Sequence, residues 1–303
     1  GVEPLNDIST FKKRVNHWNK NQSNKIDYRV VDLLNYKILS EMLESFKPEA
    51  IIHYAEQPSA PYSMASRDKA VFTQYNNVIG NLNLLFAMKK HCPSTHLIKL
   101  GTLGEYGTPN IDIEEGWIDI EHKGRSQKFL FPRQASSIYH TSKIMDTDLL
   151  WFAVRTWGIK VTDLMQGPVY GILTDEMDED DNLMSIFNYD EIFGTVINRF
   201  MTMAIADFPL TVYGKGGQTR GYLNILDTLQ CIYYTEINPP NNGDLRIFNQ
   251  ITETLSVNEI ANIVKSAASE IGYSVSINNV ENPRVESEDH YYNPTYQGLK
   301  ELG

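Results

Sequence analysis

A tyrosine and a lysine four residues apart, together with a threonine that follows an apolar run, are the residues of this chain best suited to chemistry. Tyr139 and Lys143 would lie on one face of a helix, because residues four apart are neighbours on a helix surface. A lysine ammonium in that position would favour the phenolate and draw the tyrosine pKa down from about 10. The tyrosine could then act as a general base that removes a hydroxyl proton, a step that accompanies hydride transfer.

Thr102 would support this chemistry from a strand. It follows the strand-like run 96–101, which places its hydroxyl at the carboxyl end of a strand, where open α/β sheets bind ligands. The spacing of Tyr139 and Lys143 alone is weak evidence, since 17 tyrosines give about one Tyr-x-x-x-Lys by chance. A solvated pair of residues on a helix surface is the alternative interpretation.

The elements that must position these residues alternate along the first half of the chain. Strands that alternate with helices form βαβ units, and right-handed crossovers build them into a parallel sheet with helices on both faces. The predicted fold class is therefore α/β, with a Rossmann-like doubly wound parallel sheet. The pattern predicts strands at 29–32, 50–54, 96–100 and 159–164, and helices at 38–46, 71–90 and 136–157.

The second half of the chain is less regular. Residues 174–190 are acidic and poor in apolar side chains; because the EF-hand spacing is absent, we expect a solvated loop rather than a cation site. The run 211–223 is predicted to form two strands around a glycine-rich hairpin turn. Ser256 and Glu259 form a capping-box pattern that begins a helix ending near residue 271.

Composition excludes several classes of protein. A net charge of −11 and a pI near 5.1, without a cluster of lysine and arginine, argue against nucleic-acid binding. Cys92 and Cys231 match no metal or redox spacing, so we expect free thiols in a reducing compartment and no metal site. No apolar run reaches the ~18 residues that span a bilayer, and the first residues do not resemble a signal peptide.

A dinucleotide-binding sheet normally begins with a strand, a G-x-G-x-x-G loop and a helix. Residues 1–30 contain nothing of this kind, and Gly214, Gly216 and Gly217 lie too late in the chain. We therefore expect the first βαβ unit of the sheet to be missing.

Several runs resemble the UDP-sulfoquinovose synthases, which belong to the extended short-chain dehydrogenase/reductases that include nucleotide-sugar epimerases and dehydratases. The likeness covers nearly everything from residue 30 onward. The Tyr-Lys element is common to the whole group, whereas the runs that begin at Ser59 and Gly101 are far more specific. The matching runs are 59–64, 101–116, 139–143, 193–199, 211–221, 282–286 and 291–293.

The resemblance implies both a domain organisation and a reaction. An NAD-binding domain would comprise residues 1–170 with parts of 220–250, and residues 171–303 would mostly form a smaller α/β lobe that binds a UDP-sugar. The implied substrates are UDP-glucose and sulfite, and the product is UDP-sulfoquinovose, a sulfolipid precursor. The implied steps are oxidation at C4, loss of water across C5–C6, sulfite addition at C6 and re-reduction at C4, with NAD regenerated in each turnover.

The resemblance also implies catalytic roles. Tyr139 would take the proton of the sugar 4-hydroxyl, Lys143 would hold the nicotinamide ribose, and Thr102 would hydrogen-bond the same hydroxyl. Related 4,6-dehydratases carry an Asp-Glu pair directly after the threonine, where this chain has residues 103–104, Leu-Gly. His140 and Glu105 are the nearest alternatives for the C5–C6 step.

A histidine titrates in the useful pH range, which favours His140 over Glu105. Residues i and i+1 diverge by ~100° on a helix, however, so His140 could equally face away from Tyr139.

The remaining binding residues come from the same resemblance. For NAD, adenine would be contacted by Asp32 and Leu33, and the other contacts would come from Asn77, Tyr139, Lys143, Gln166 and Gly167. Forked guanidinium groups suit phosphate oxygens, so two arginines would face the UDP diphosphate. The implied substrate contacts are Gln57, Thr102, Gln166, Asn198, Val212, Tyr213, Arg220 and Arg284.

Two departures from the family pattern keep other interpretations open. Pro58 replaces a family arginine that could bind sulfite, and Met165 replaces an asparagine. Another NAD-dependent nucleotide-sugar 4-epimerase or 4,6-dehydratase is one alternative, and a non-catalytic UDP-sugar-binding remnant is another. The family implies a homodimer formed through the Tyr-Lys helix, located in the plastid stroma of a photosynthetic eukaryote or otherwise in the cytoplasm.

Overall fold

The structure is a computed structural model that describes residues 8–282 and 290–303, with side chains from residue 11 onward. The helices are α1 (Ile8–Asn21), α2 (Tyr36–Phe46), α3 (Ala60–Met64), α4 (Arg67–Gln74), α5 (Gly80–His91), α6 (Ile138–Trp157), α7 (Asp175–Glu179), α8 (Val196–Ile205), α9 (Ile225–Ile237) and α10 (Val257–Glu270). The strands are β1 (Ala50–His53), β2 (His96–Thr102), β3 (Trp117–His122), β4 (Arg125–Leu130), β5 (Lys160–Gln166), β6 (Val169–Tyr170), β7 (Leu210–Tyr213), β8 (Thr219–Asn224), β9 (Leu245–Gln250), β10 (Glu253–Ser256) and β11 (Ile277–Val280).

A four-stranded parallel sheet organises the larger part of the molecule. Its strand order is β1-β2-β5-β9, and every neighbouring pair runs parallel. The predicted parallel sheet is therefore confirmed, because β1, β2 and β5 lie where the strand patterns placed them. The strand β9 completes the sheet on one side, and β1 forms its other edge.

Both faces of this sheet are covered, as the doubly wound prediction requires. Alternation along β2 sends Leu97 toward the core shared with α2, α5 and α6, and sends Ile98 toward a second cluster that includes Ile232 of α9. Lys99 has the same parity as Leu97, so it enters the face covered by α6. A lysine is thereby buried in the middle of the strand.

The predicted helices are largely confirmed. The helix α2 begins two residues before the expected position and ends at Phe46, where it is followed by a Lys47 in the left-handed conformation ahead of a proline. The expected helix at 71–90 lies within α4 and α5, which are joined by a π-helical turn at Tyr75–Ile79. Gly158 ends α6 with φ +70°, and the capping box of Ser256 and Glu259 begins α10.

The second lobe has two small sheets and its own apolar core. One sheet has the order β10-β8-β6 and the other pairs β11 with β7, while α8 and α10 pack beside them. The core of this lobe contains Ile197, Phe200, Val212, Tyr222 and Ile260, among others. These side chains form a buried cluster distinct from the one beneath the parallel sheet.

The predicted hairpin at 211–223 is wrong. The strands β7 and β8 lie where expected, but they join different sheets and do not pair with each other. Gly214 and Gly216 both have positive φ, and the Asn258 side chain bonds the Lys215 carbonyl at 2.7 Å, so the turn redirects the chain. A glycine-rich turn between two strands does not by itself specify that they pair.

Two further expectations from sequence are corrected. Residues 29–32 form no strand, and Val30 is 69% exposed; a strand needs a hydrogen-bonded neighbour, and β1 pairs only with β2 within the described residues. The acidic segment 174–190 is not a simple loop, because it contains α7 and a 3₁₀ turn at Asp181–Leu183. Neither short helix buries a side chain, which agrees with the expected solvation of the segment.

Several elements had no counterpart in the sequence patterns, among them α1 and the β3–β4 hairpin. The helix α1 contacts the acidic segment through His17 Nε2 and Asp180 Oδ2, which lie 2.5 Å apart. The strands β3 and β4 form an antiparallel hairpin whose turn uses positive φ at Lys123 and Gly124. Both elements are polar and largely exposed, so they lack the apolar periodicity on which such predictions depend.

The expected state of the cysteines is confirmed, since Cys92 and Cys231 are both free. No helix in the described part of the chain has the length and apolarity needed to cross a membrane. Across residues 8–282 and 290–303, no group of three His, Cys, Asp or Glu side chains is arranged to hold a metal ion.

Candidate active site

Helix α6 carries the predicted tyrosine and lysine on its buried face. Ser137 begins the helix by accepting a hydrogen bond from the His140 amide at 3.1 Å, and the Tyr139 amide donates to Ser63 Oγ at 3.0 Å. Tyr139 is 9% exposed and Lys143 is 1% exposed. The i,i+4 spacing therefore directs both side chains into the protein, and the solvated surface pair is not what the structure contains.

Thr102 is the last residue of β2, as the sequence predicted. Its Oγ1 accepts a hydrogen bond from the Gly104 amide at 3.2 Å and begins the 3₁₀ turn at Leu103–Glu105. Lys143 Nζ donates to the carbonyl of Leu100, two residues earlier on the same strand. The lysine of α6 therefore lies against the carboxyl end of the strand that carries the threonine.

The principal partner of Lys143 is a carboxylate that the sequence did not reveal. Lys143 Nζ lies 2.5 Å from Glu56 Oε2, in the segment that follows β1. Burial lowers the pKa of Lys143, and the charge of Glu56 opposes that change. A buried ammonium is stable here because an ionised carboxylate lies in contact with it.

The expected lowering of the Tyr139 pKa is wrong for this arrangement. Burial raises the pKa of Tyr139 well above its ordinary value, and the charge of Glu56 raises it further. Lys143 is turned toward Glu56 and the Leu100 carbonyl, so much of its charge is neutralised before it can act on the phenol. The phenol is thus held in its neutral, proton-donating form.

His140 is turned toward the threonine turn. Its Nδ1 lies 3.0 Å from Ser136 Oγ and 3.1 Å from Ser137 Oγ, and its ring centroid is 5.2 Å from that of Tyr139. A Cβ at residue 104 would collide with His140 Nε2, so the ring occupies space that only glycine leaves open. Burial and the charge of Arg220 lower the pKa of His140 to about 4, so the imidazole is neutral near pH 7.

Glu105, the other candidate for the C5–C6 step, is enclosed in the protein. It is fully buried, accepts from Thr147 Oγ1 at 3.1 Å and lies 3.4 Å from Arg133 Nε. Burial and the neighbouring Asp163 raise the pKa of Glu105 to about 7. Its contacts are with core residues, so the geometry favours His140.

The predicted nicotinamide-side residues form a tightly bonded unit. Asn77 lies in the π-helical turn with no exposed surface. Its Oδ1 accepts from the Gln57 amide at 2.8 Å, and its Nδ2 donates to the Gln57 carbonyl at 3.1 Å and to Ser142 Oγ at 3.0 Å. Asn77 therefore ties the segment after β1 to α6, which fixes the neighbouring Glu56 relative to Lys143.

The predicted adenine-side residues lie near the start of α2. Asp32 Oδ1 accepts from the Leu34 amide at 2.9 Å, and the Leu33 carbonyl accepts from Asn83 Nδ2 at 2.9 Å. The first bond is local, and the second attaches the segment to α5.

Gln166 and Gly167 connect the sheet to the second lobe. Gln166 ends β5 and donates through Nε2 to Gln250 Oε1 at 2.7 Å. A Cβ at residue 167 would collide with the Gly221 carbonyl, so this glycine permits close approach of β8. The strand that carries Arg220 is thereby brought to the carboxyl ends of the parallel strands.

The predicted substrate residues of the second lobe differ in their accessibility. Asn198 lines a cavity of about 330 Å³ and donates to the Asn188 carbonyl at 3.1 Å. Val212 is fully buried in the lobe core, so its side chain is not available to a uracil ring, whereas Tyr213 is partly exposed. Arg220 Nη1 contacts His290 Nε2 at 2.8 Å, and Arg284 lies outside the described residues.

A contact between the lobes borders this cavity. Ser59 Oγ donates to the Ile192 carbonyl at 2.5 Å, and the Tyr62 ring stacks on that of Phe193 with centroids 6.5 Å apart. Phe193 also lines the cavity with Asn198. The run that begins at Ser59 therefore belongs to the same cleft as the second-lobe residues.

Three buried charged residues of this region were not expected from the sequence to be functional: Glu56, Lys99 and Asp146. Lys99 has no exposed surface and lies 3.2 Å from Glu56 Oε1 and 3.3 Å from Asp146 Oδ2. A lysine in the middle of an apolar strand was the available signal, because such a charge is rarely buried without a partner. The partners could not be named, since they come from elements distant in sequence.

A family model described as the NAD dependent epimerase/dehydratase family matches residues 4–250. The chain belongs to this family. It is 49% identical over 303 residues to the chloroplastic UDP-sulfoquinovose synthase of Spinacia oleracea, and 45% identical over 293 residues to the UDP-sulfoquinovose synthase of Sulfolobus acidocaldarius. These alignments cover 100% and 96% of this chain but 63% and 74% of those relatives. The resemblance predicted from the sequence runs is confirmed.

Solved structures of the family share the fold. A UDP-glucose 4-epimerase from Bifidobacterium longum, in complex with NAD+ and UDP, superposes with a TM-score of 0.73 at 16% identity, covering 98% of this chain and 81% of that one. A UDP-glucuronic acid 4-epimerase from Bacillus cereus, with UDP-glucuronic acid and NAD, gives 0.71 at 19% identity, covering 96% and 80%. The Rossmann-like prediction is thereby confirmed.

The described residues fit one part of NAD. The Lys143 ammonium has three N–H donors. Within the described residues, Glu56 and the Leu100 carbonyl accept hydrogen bonds from two of them, so the third can donate to a ribose hydroxyl of NAD. For the pyrophosphate, no strand in the described ranges is followed by a G-x-G-x-x-G loop that opens a helix. The described residues therefore include a lysine that could hold the nicotinamide ribose, and no phosphate-binding loop of this kind lies among them.

Proposed function

We propose that this chain carries the catalytic residues of an NAD-dependent enzyme that converts UDP-glucose and sulfite to UDP-sulfoquinovose. The observation that supports this most is the placement of buried Tyr139 and Lys143 against the carboxyl end of β2, where Thr102 ends the strand. The 49% and 45% identity to UDP-sulfoquinovose synthases selects this reaction among those of the family.

Tyr139 would exchange a proton with the oxygen at C4 of the glucose ring. Its raised pKa suits the donation of a proton to that oxygen when C4 is reduced again. In the opposite direction the phenol must lose its proton, and this requires the positive charge of Lys143 to be directed at it. Thr102 would orient the same oxygen through its hydroxyl, and bound NAD would supply reversible hydride acceptance at C4.

His140 would act at C5 and C6 of the sugar. The two serine hydroxyls near Nδ1 fix the ring, which leaves Nε2 directed toward Gly104 and the threonine turn. Because the low pKa keeps the imidazole neutral, Nε2 can accept the C5 proton once C4 is a ketone. The resulting imidazolium can donate that proton to the departing C6 hydroxyl.

We expect Gly104→Ala to impair the elimination step selectively. The new methyl group would displace the His140 ring, and a shift of about 1 Å in a catalytic group can cost ~10²-fold in rate. Oxidation at C4 should change much less, because Thr102 and Tyr139 keep their positions. Rapid-quench analysis of the C4 ketone and of the unsaturated ketone measures the two steps separately. Gly124→Ala, in the exposed β3–β4 turn, is the control for a glycine substitution in general.

Equal loss of both steps in Gly104→Ala, with none in Gly124→Ala, would contradict the role proposed for His140. Glu105→Gln provides the complementary comparison, because that carboxyl is enclosed in the core and should affect neither step selectively.

Recognition of the nucleotide would involve Arg220 and Asn198. Arg220 lies near enough to His140 for its charge to lower the histidine pKa, so the diphosphate and the reacting sugar would be adjacent. Gln57, Gln166, Tyr213 and the Val212 main chain would contribute further contacts. Arg284 is proposed on the resemblance alone.

Mass spectrometry of UDP-glucose incubated with NAD, with and without sulfite, tests the proposed reaction. A sulfonated UDP-sugar that forms only when sulfite is present is the expected product. Pro58 stands where the family has an arginine that could bind sulfite, and this gives a specific reason to look for products that lack a sulfonate. A 4-epimer or a 4-keto-6-deoxy sugar, with no sulfonate, would instead assign another nucleotide-sugar epimerase or dehydratase activity.

We also propose a homodimer formed by α5 and α6. Phe86 and Phe152 are 46% and 47% exposed, and both rings pack against Trp157, with centroids 4.9 and 5.6 Å from it. An aromatic patch of this kind is typical of a protein interface. Phe152→Asp should convert a dimer to a monomer in sedimentation experiments, whereas Phe208→Asp, at an exposed site in the other lobe, should not. A wild-type monomer would contradict this proposal.

The compartment is proposed from the spinach relative, which is named chloroplastic. We propose the plastid for a photosynthetic eukaryotic source and the cytoplasm otherwise. Fractionation of the source organism with an antibody to this chain tests this, and recovery from another compartment would contradict it.

A further inference from the structure

A buried chain of alternating charges lies behind the catalytic lysine. Asp146 Oδ2, Lys99 Nζ, Glu56 Oε1 and Oε2, and Lys143 Nζ follow one another at separations of 3.3, 3.2 and 2.5 Å. Lys143 and Asp146 come from α6, Lys99 from β2 and Glu56 from the segment after β1. The array therefore joins three separate elements at the end of the sheet where the candidate site lies.

Each oxygen of Glu56 faces a different lysine. The Oε2 atom contacts Lys143 and the Oε1 atom contacts Lys99, while His53 Nε2 is 3.7 Å from Oε1. A carboxylate in contact with two ammonium groups has little rotational freedom. Any rotation of the Glu56 carboxylate would break one of the two contacts and leave a buried charge without its partner. Lys99 is itself fixed by Asp146 and by its bond to the Leu100 carbonyl at 3.2 Å.

We propose that Glu56 is a positioning residue that sets the location and the charge state of the Lys143 ammonium, and that Lys99 is the buried cation that keeps Glu56 ionised and turned toward it. Lys143 would act on the tyrosine and the cofactor, and Glu56 would act only through Lys143. The pKa of Glu56 is lowered to about 2, with the two lysines offsetting its burial, in agreement with this assignment. The effect on catalysis rests on the proposed function, whereas the effect on Lys143 does not.

The charge state of Lys143 provides a test that requires no catalytic activity. Its ammonium nitrogen can be followed by NMR in protein labelled with 15N at lysine, and the Lys143→Met spectrum identifies its signal. In Glu56→Gln we expect the Lys143 pKa to fall by about 1–3 units, because an opposite charge in contact is lost while Lys99 and Asp146 remain. Glu105→Gln removes another buried carboxylate, one that does not contact Lys143, and should leave the signal close to wild type.

A kinetic measurement separates positioning from general destabilisation. If the proposed reaction occurs, Glu56→Gln should lower kcat for C4 oxidation about tenfold or more, with little change in KM for UDP-glucose. The removal of the Glu56 charge from beside the phenol favours the phenolate, but a Lys143 that has lost its partner also loses its proton and its fixed position, and we expect this second effect to dominate. It should also alter the pH profile of that step, and Glu56→Asp should recover part of the rate. A wild-type protein without activity would count against the proposed function only, since the NMR comparison is independent of it.

An unchanged Lys143 pKa in folded Glu56→Gln would overturn the proposal. If Glu56→Gln does not fold, the double variant Glu56→Gln/Lys99→Met carries the same measurement, because its remaining buried pair of Lys143 and Asp146 is balanced in charge. In that variant the chemical shift of the Lys143 signal should again differ from wild type, because the contact with Glu56 is lost, whereas the loss of Lys99 offsets part of the fall in the Lys143 pKa. A wild-type chemical shift there would equally exclude a positioning role.

Discussion

Tyr139→Phe is expected to reduce C4 oxidation of UDP-glucose by about 10²–10⁴-fold, while the affinity for the nucleotide changes little. The substitution removes one hydroxyl and keeps the ring, so the packing of α6 against the segment that contains Ser63 should persist. Neither Thr102 nor Lys143 can replace the phenol as the group that exchanges a proton with the C4 oxygen. The measurement is the rate of C4 ketone formation, with UDP-sugar binding determined by calorimetry.

Tyr106→Phe is the matched control for this experiment. Tyr106 is a second buried tyrosine, and its ring packs on Phe131 with centroids 5.5 Å apart, in the core beside the sheet. It should retain nearly wild-type rates. If Tyr139→Phe were as active as Tyr106→Phe, the phenol of Tyr139 would not be the proton-exchanging group.

Lys99→Met is expected to lower the free energy of unfolding by about 3–5 kcal/mol, the range measured when one member of a buried ion pair is removed. Methionine nearly preserves the volume but leaves Glu56 and Asp146 buried without the ammonium between them. Burial already raises the pKa of Asp146 to about 7, and the loss of Lys99 would raise it further.

The loss of stability in Lys99→Met should therefore depend on pH. A carboxyl whose folded pKa is raised contributes stability below its unfolded pKa, and that contribution is lost as pH rises through the folded value. The variant should thus be closer to wild type at pH 5 than at pH 8 in urea unfolding. Lys160→Met, at the partly exposed start of β5, should change stability by about 0.5 kcal/mol or less. Equal effects of the two variants would show that Lys99 is not essential to the buried array.

Much of the scaffold could be predicted because its signals are local. The strands β2 and β5 are apolar runs, the Ser256 capping box specifies the start of α10, and Gly158 ends α6. The same locality placed Tyr139 and Lys143 together, since their spacing on one helix is independent of the rest of the fold. Thr102 followed from the end of its strand.

The rest depends on contacts between distant parts of the chain. Residues 29–32 have a strand-like pattern but form no strand, because the described structure contains no strand that pairs with them. The strands β7 and β8 pair with different neighbours, although a single turn connects them. The Tyr139 pKa was misjudged because Glu56, which competes for Lys143, lies 87 residues away in sequence. Electrostatic properties of a buried site depend on every charge that the fold brings near it.

All of the proposed residue roles depend on oxidation at C4 of UDP-glucose and later reduction of the same carbon. Mass spectrometry of a turnover with UDP-glucose that carries deuterium at C4, in the presence of NAD and sulfite, tests this reaction. We expect a slower reaction with the labelled substrate and a sulfonated product that retains the deuterium at C4. A sulfonated product formed without an isotope effect and with deuterium lost to solvent would contradict it.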